Sequence, residues 1–286
     1  MEFKLSIQII VFILPLMLVD YPANPIHKPG YSLEFNDEFS GDQLDTSKWF
    51  PYYLPQWSSR SKSMAKYELS NGYLKLKITK DQVPWCEEFN GLIKCSSFQT
   101  GVYAGSLNSS VGQHKFNPAC VVREEQPTVR LYTPKFGYFE IRARAAIGAN
   151  NVAAFWMIGF EDQPENSGEI CIMEVKGKHV TKNKLINGHG IRKFQDPFLT
   201  DEFYDDQFSL DASKFNIYAA EWCEDKVEFF INNKKVRTIR QSPNYEMQFM
   251  LNIYELPNEN GVSSTEKRYP AVLEVDYVRG YKRHID

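Results

Sequence analysis

Two glutamates stand five residues apart in an otherwise apolar run, Gly168-Glu169-Ile170-Cys171-Ile172-Met173-Glu174-Val175. The large apolar residues around them predict a strand well inside a sheet. A buried carboxylate without a partner is costly, so carboxylates at such positions need a reason. Paired carboxylates ~5–5.5 Å apart can divide the work of breaking an acetal, one as nucleophile and the other as acid and then base. Strict alternation opposes that here, because an odd spacing puts Glu169 and Glu174 on opposite faces. One β-bulge near Ile172 or Met173 restores both to one face, and bulges gather beside active sites. Four effective strand steps still separate the backbones by about 13 Å. The side chains must therefore lean together over a concave sheet. From spacing alone, two solvated strand-face glutamates fit equally well.

The elements that position this strand read as β throughout. Tyr73–Thr79 puts Leu74, Leu76 and Ile78 on one face. Phe136–Ala145 alternates Phe139, Ile141 and Ala143 against Glu140, Arg142 and Arg144. Lys226–Ile239 reads as two strands joined at Asn232-Asn233, residues that tolerate the positive φ of a tight hairpin. Ala271–Tyr281 is a last strand. No window shows a helical apolar period. Many short strands without intervening helices predict a sandwich or barrel. The polar stretch from Gly105 to Lys135 is too long for a hairpin and is expected to form a loop wall around a cleft.

The 286 residues are 43% hydrophobic and 14% aromatic, enough for a large core and for flat apolar platforms. A net charge of −3 argues against a nucleic-acid partner, which needs a basic face. Lys4 followed by the apolar run Leu5–Val19, with Pro15 inside it, has the length of a signal-peptide core rather than of a membrane span. A leader over residues 1–24 is expected, cut after Ala23, with an uncleaved anchor as the alternative; residues 25–286 then form a single domain. No second spanning stretch follows, so no membrane contact beyond the leader is expected. The five cysteines, Cys86, Cys95, Cys120, Cys171 and Cys223, leave at least one unpaired. In an exported chain Cys86 and Cys95 can close a short loop around Asn90-Gly91. Without a CxxC pair, and with few histidines, a structural zinc is not expected. Asn108-Ser109-Ser110 is a glycosylation sequon.

Several ordered segments carry a resemblance over residues 33 to 281. They are Phe35-Asn36-Asp37-Glu38-Phe39 with Leu44-Asp45 and Lys48-Trp49, the run Phe136–Arg144, Ala154-Phe155-Trp156-Met157, Tyr218-Ala219-Ala220-Glu221-Trp222, and Val275-Asp276-Tyr277-Val278. With Glu-Ile-Cys-Ile-Met-Glu at residues 169–174, they resemble glycoside hydrolase family sixteen, the laminarinase and lichenase type, whose signature is Glu-Ile-Asp-Ile-(Met)-Glu. The resemblance implies an all-β jelly-roll sandwich with a concave cleft. It implies an endo-acting, retaining hydrolase of a β-1,3- or β-1,3/1,4-glucan, with a polysaccharide as its substrate; export is expected from the apolar leader, and a monomer is expected. Transglycosylation, or glycan binding without catalysis, are the alternatives.

By the resemblance Glu169 is the nucleophile, and Glu174 is the acid that later becomes the base. Glu174 must then hold its proton where Glu169 has lost it, through desolvation and the neighbouring charge. Where the family carries a middle Asp, this chain has Cys171, a weak donor expected to stay neutral. Val152-Ala153 stands where Trp-Pro is usual, and Asn216 where His is common. Trp156 is a candidate sugar platform or a core aromatic. Arg142 is a candidate for holding substrate hydroxyls, or pairs with Glu140. His189, expected in a turn after the catalytic strand, is a candidate for the cleft rim. No cofactor is expected. Asp276 matches a position that in relatives contributes to a structural calcium, but one aspartate is no coordination shell.

Overall fold

The computed structural model describes residues 19–257 and 269–284. The expected leader lies outside them apart from its last residues. Along the described chain the strands are β1 (Tyr31–Asp37), β2 (Lys66–Ser70), β3 (Tyr73–Ile78), β4 (Lys94–Gln99), β5 (Gly101–Val102), β6 (Val129–Arg130), β7 (Gly137–Ala146) and β8 (Asn151–Gly159). They continue as β9 (Glu169–Lys176), β10 (Leu185–Arg192), β11 (Glu202–Phe208), β12 (Asn216–Trp222), β13 (Val227–Ile231), β14 (Lys234–Ile239), β15 (Met247–Glu255) and β16 (Ala271–Arg283). The α-helices among the described residues are single turns, α1 (Arg60–Ser63) and α2 (Glu87–Asn90).

Two antiparallel sheets make a jelly-roll sandwich. One runs β14-β13-β12-β7-β16-β3-β2, with β1 also on β16, and the other runs β11-β10-β9-β8-β15-β4. The alternation read from the sequence decides the layers. Phe139, Ile141 and Ala143 of β7 face inward against Phe155 and Met157 of β8 and Phe249, Leu251 and Ile253 of β15, all buried. Phe249 is ringed by Phe35, Tyr132, Phe139 and Phe155, with centroids 5.2–5.5 Å away. Each such side chain contributes ~1.5–3 kcal/mol by leaving water. The hairpin of β13 and β14 turns on Asn232 and Asn233 at φ 49° and 62°, as their side chains allow.

A second buried cluster lies on the other side of the six-stranded sheet. Ala154, Trp156, Ile158, Cys171 and Met250 pack there against Trp57, Trp85, Cys86 and Cys120 from the loops. This wall, to which the stretch from Gly105 to Lys135 contributes, turns that face into a cleft.

Three expectations need correction. All five cysteines are free thiols. Cys86, at the start of α2, donates to the Trp57 carbonyl at 3.2 Å instead of reaching Cys95 on β4. Second, the folded unit reaches back beyond residue 25. Arg142 donates to the Tyr21 carbonyl at 2.7 and 2.9 Å, the Phe215 amide to Asp20 at 2.9 Å, and Arg279 to the Asn24 carbonyl at 2.9 Å. A boundary between residues 24 and 25 would cut through this strap. Third, Arg142 is not near the cleft. It does share a face with Glu140 and Arg144, but that face is the outside of the other sheet. Its carboxylate partner is Asp276 at 2.7 Å, while Glu140 accepts from Asn24 at 2.8 Å. With a guanidinium on its carboxylate, Asp276 is poorly suited to a calcium, which needs a shell of oxygens.

Candidate active site

The bulge that the parity argument required is present in β9. Phe155 opposes Met173 and Trp156 opposes Cys171, which leaves Ile172 without a counterpart on β8. Ile170, Ile172, Met173 and Val175 consequently all enter the inter-sheet core. Glu169, Cys171 and Glu174 line the cleft together, in an open volume of about 590 Å3. A bulge strands backbone polar groups, and Asn187 on β10 answers for them. Its Oδ1 accepts from the Glu174 amide at 3.1 Å and its Nδ2 donates to the Ile172 carbonyl at 3.4 Å. Asn187 is 1% exposed, so the staple is shielded from water.

The neighbouring strand is shaped to fit. Its register shifts between Gly188 and Gly190, opposite the bulge. Gly190 sits at φ +146°, and a Cβ there would lie 2.1 Å from the Glu202 carbonyl oxygen. Only glycine lets β11 approach this closely.

Each carboxylate has a cation. Arg192 Nε lies 3.4 Å from Glu169 Oε1, and its guanidinium stacks 3.7 Å above the Phe203 ring. Lys176 Nζ lies 3.3 Å from Glu174 Oε1 and 2.8 Å from Asp205. Burial lifts the Glu169 carboxyl to about 8, with Arg192 pulling it down and Glu174 pushing it up. The expected order, with Glu169 the more acidic of the pair, is therefore opposed by burial, and Arg192 is the group that works for it. Cys171 is 1% exposed, and its thiol points toward the Gly188 carbonyl at 3.8 Å. Desolvation, reinforced by Glu174 and Glu169, holds it neutral.

Trp156 packs as a core aromatic and also borders the cleft. It is 5% exposed, its indole N–H donating to Asn252. His189 is neither in a turn nor on the rim. It lies within β10, fully buried, facing away from the cleft between Phe208 and Phe229. Its Nδ1 meets the Asn187 carbonyl at 3.2 Å and Arg237 donates to its Nε2 at 3.3 Å; burial lowers its pKa, which Asn187 and Asp206, 3.4 Å from Nε2, oppose. The reason is parity: Gly188, Gly190 and Arg192 share the cleft face, and His189 falls between them. That same alternation would have pointed to Arg192. Asn187 carries no such signal, because its role depends on a register that no local pattern reveals.

Among the described residues no cluster of His, Cys, Asp or Glu is arranged to hold a metal. The site offers a carboxylate beside a guanidinium, a second carboxyl within the same cleft, and an aromatic floor. It can attack an acetal carbon from one side and protonate its departing oxygen.

Comparison with known proteins agrees. The profile of Glycosyl hydrolases family 16 matches residues 131–263. A GlcNAcα1-4Gal-releasing endo-β-galactosidase from Clostridium perfringens superposes with TM-score 0.80 at 33% identity, over 92% of this chain and 65% of that one. The laminarinase catalytic domain of Thermotoga petrophila superposes with TM-score 0.62 at 19% identity, over 89% and 99%, which speaks for the fold. Glucan endo-1,3-beta-glucosidase A1 of Niallia circulans is 22% identical over 88% of this chain and 38% of its own length. The chain spans between 38% and 60% of the curated relatives it matches. The bulged Glu169–Glu174 strand, the jelly-roll sheets and these matches agree in likening this chain, over residues 131–263, to glycosyl hydrolase family 16.

Proposed function

We propose that this protein is an exported, retaining endo-β-glycosidase that works as a monomer on a polysaccharide or glycan chain. The observation that carries the proposal is the pair Glu169 and Glu174, brought to one face of β9 by the Ile172 bulge inside an open cleft. In the first step a Glu169 oxygen bonds to the anomeric carbon, and the bond from that carbon to the bridging oxygen breaks. Glu174 gives its proton to that oxygen, and the leaving sugar departs. In the second step water attacks the same carbon and Glu174 takes the water proton. The bond to Glu169 then breaks, restoring both groups and the original anomeric configuration. Arg192 opposes the burial that lifts Glu169 and so favours its carboxylate form, and Lys176 stands beside Glu174. Export rests on the apolar run at the N-terminus.

For the sugar, a β-glucan has the support of the curated relatives, a glucan endo-1,3-beta-glucosidase and a beta-glucanase. A β-galactoside has the support of the solved relative at 33% identity over 92% of this chain, against 22% for the glucan hydrolase. We place the galactoside first. Digestion of β-1,3-glucan, mixed-linkage glucan, agarose, carrageenan, galactan and galactoside-rich mucin glycans, with product sizing, decides between them. Proton NMR of the first product should show the retained anomer, and Glu169→Gln should abolish turnover without unfolding the protein. Release of the inverted anomer would sink the double displacement.

A further inference from the structure

Following β8 and β9 past the catalytic pair, Ala154 opposes Glu174, Trp156 opposes Cys171 and Ile158 opposes Glu169. The strands then part, closed by the Gly159 amide on the Gly168 carbonyl at 3.1 Å. Beyond this closure a second pocket of about 470 Å3 opens beside the cleft. It shares His114, Phe116 and Phe194 with the cleft and adds Lys115, Pro118, Glu161, Ser167 and Gln195.

The pocket is built from three loops locked together. The Gln113 side chain donates to the Gly159 and Phe160 carbonyls, each at 3.3 Å, and the His114 amide donates to Glu161 at 2.8 Å. The Gln195 amide donates to Ser167 at 2.8 Å. The Tyr245 hydroxyl ties the Gly168 amide to Asp196, 2.7 Å from each. His114, Glu161 and Phe194 sit at φ 51°, 58° and 44°, three of the ten non-glycine left-handed residues of the described chain. Such conformations cost free energy, and they persist where the surroundings over-determine them, most often at ligand sites.

The chemistry of the lining is specific. Phe194 is 40% exposed, with His114 edge-on to its ring at 4.9 Å. Glu161 is only 5% exposed and accepts from one backbone amide. Burial lifts its carboxyl to about 8 and lowers His114 to about 4, so both are mainly uncharged near neutral pH. A neutral carboxylic acid both donates and accepts, as a sugar hydroxyl or acetamido group requires. Preformed, largely apolar pockets with a few fixed polar groups are how proteins hold small molecules.

We propose that this pocket is a subsite for one uncharged sugar ring of the glycan, with Glu161 bonded to its polar substituents and Phe194 packed on its apolar face. The proposal deepens the glycosidase reading and rests on it. Lys115 also lines the pocket but makes no ion pair with Glu161, so a uronate or sulfated sugar would have to be held by Lys115 alone, where a neutral hexose or N-acetylhexosamine is held by Glu161.

The test reads binding rather than turnover. Saturation-transfer NMR on the full chain would be run with galactose, glucose, N-acetylglucosamine and N-acetylgalactosamine, and with glucuronate and galactose-6-sulfate. At least one neutral sugar should bind in the wild type and equally in Glu174→Gln, while Phe194→Ala weakens it ~tenfold. Phe194 is exposed, so its truncation leaves the fold in place. Glu161→Gln keeps an acceptor for His114, so it should fold and change which neutral sugar binds best. Binding that survives Phe194→Ala, a preference for the charged sugars, or no binding by any of them overturns the subsite. Neutral-sugar binding that depends on Phe194 in a protein that cleaves no glycan would instead overturn the glycosidase reading alone.

Discussion

Replacing Arg192 by methionine removes the cation beside Glu169 while leaving an apolar stem over Phe203. The two groups are 3.4 Å apart, with the Arg192 side chain 38% exposed and that of Glu169 9% exposed. Two unit charges near 4 Å interact by ~1 kcal/mol in water and ~4 kcal/mol at an effective dielectric near 20. Arg192 is exposed enough for solvent to screen much of this, which brings the value toward the lower end. An interaction of ~1.4 kcal/mol corresponds to one pH unit in the titration of Glu169. The sign follows from the role. The nucleophile must be ionised, so kcat/KM in the wild type falls as pH drops through about 8, where burial holds Glu169. Without Arg192 the carboxylate is harder to form, and the acid limb moves up by ~1 unit. Below both limbs the variant should be ~tenfold slower, and above both it should approach the wild type. The assay is kcat/KM across pH 5–10 on whichever glycan is cleaved. An equal loss at every pH would make Arg192 a substrate contact rather than a charge partner. A limb moved toward acid would refute the electrostatic argument outright.

Other perturbations test the supports of the site. Asn187→Ala should lower kcat by ~100-fold with KM little changed, because it frees the bulge beneath Glu174; a change confined to melting temperature would make the staple structural only. Cys171→Asp adds a charge between Glu169 and Glu174, so activity should rise and the alkaline limb move to higher pH; a limb that stays put leaves the thiol as a space filler. Deleting the chain up to Ala23 takes bonds from Arg142 and from Asp20's partner, and should cost on the order of 3 kcal/mol, read as a melting temperature lowered by ~10 °C; equal melting of chains starting at Asp20 and Asn24 would show the strap to be idle. Glu161 and Glu169, both raised to about 8 by burial, favour the fold while protonated. Their contribution is complete below ordinary carboxylate values and lost as pH rises through 8, so melting at pH 9 should fall below that at pH 6, and less so in Glu161→Gln.

What could be read in advance depended on how far each inference travels along the chain. Alternation within one strand is local, so the faces of β3 and β7 and the Asn232-Asn233 turn are legible. The bulge was legible as well, because two carboxylates at odd spacing on a buried strand leave few other ways to face one cleft. Arg142 marks the limit of that reasoning. Its face was assigned correctly, but a face has no identity until the order of strands says whether it looks into a cleft or away from it. His189 failed differently, since the tripeptide Gly188-His189-Gly190 has the composition of a turn. Its glycines are there because β11 crowds β10 beside the bulge, a contact between segments that the chain does not announce. The same crowding explains why Arg192 went unread. Once β10 is known to be a strand paired with β9, the parity that buries His189 delivers Arg192 to Glu169. One corrected element therefore moves a residue out of the site and brings a better-placed one in.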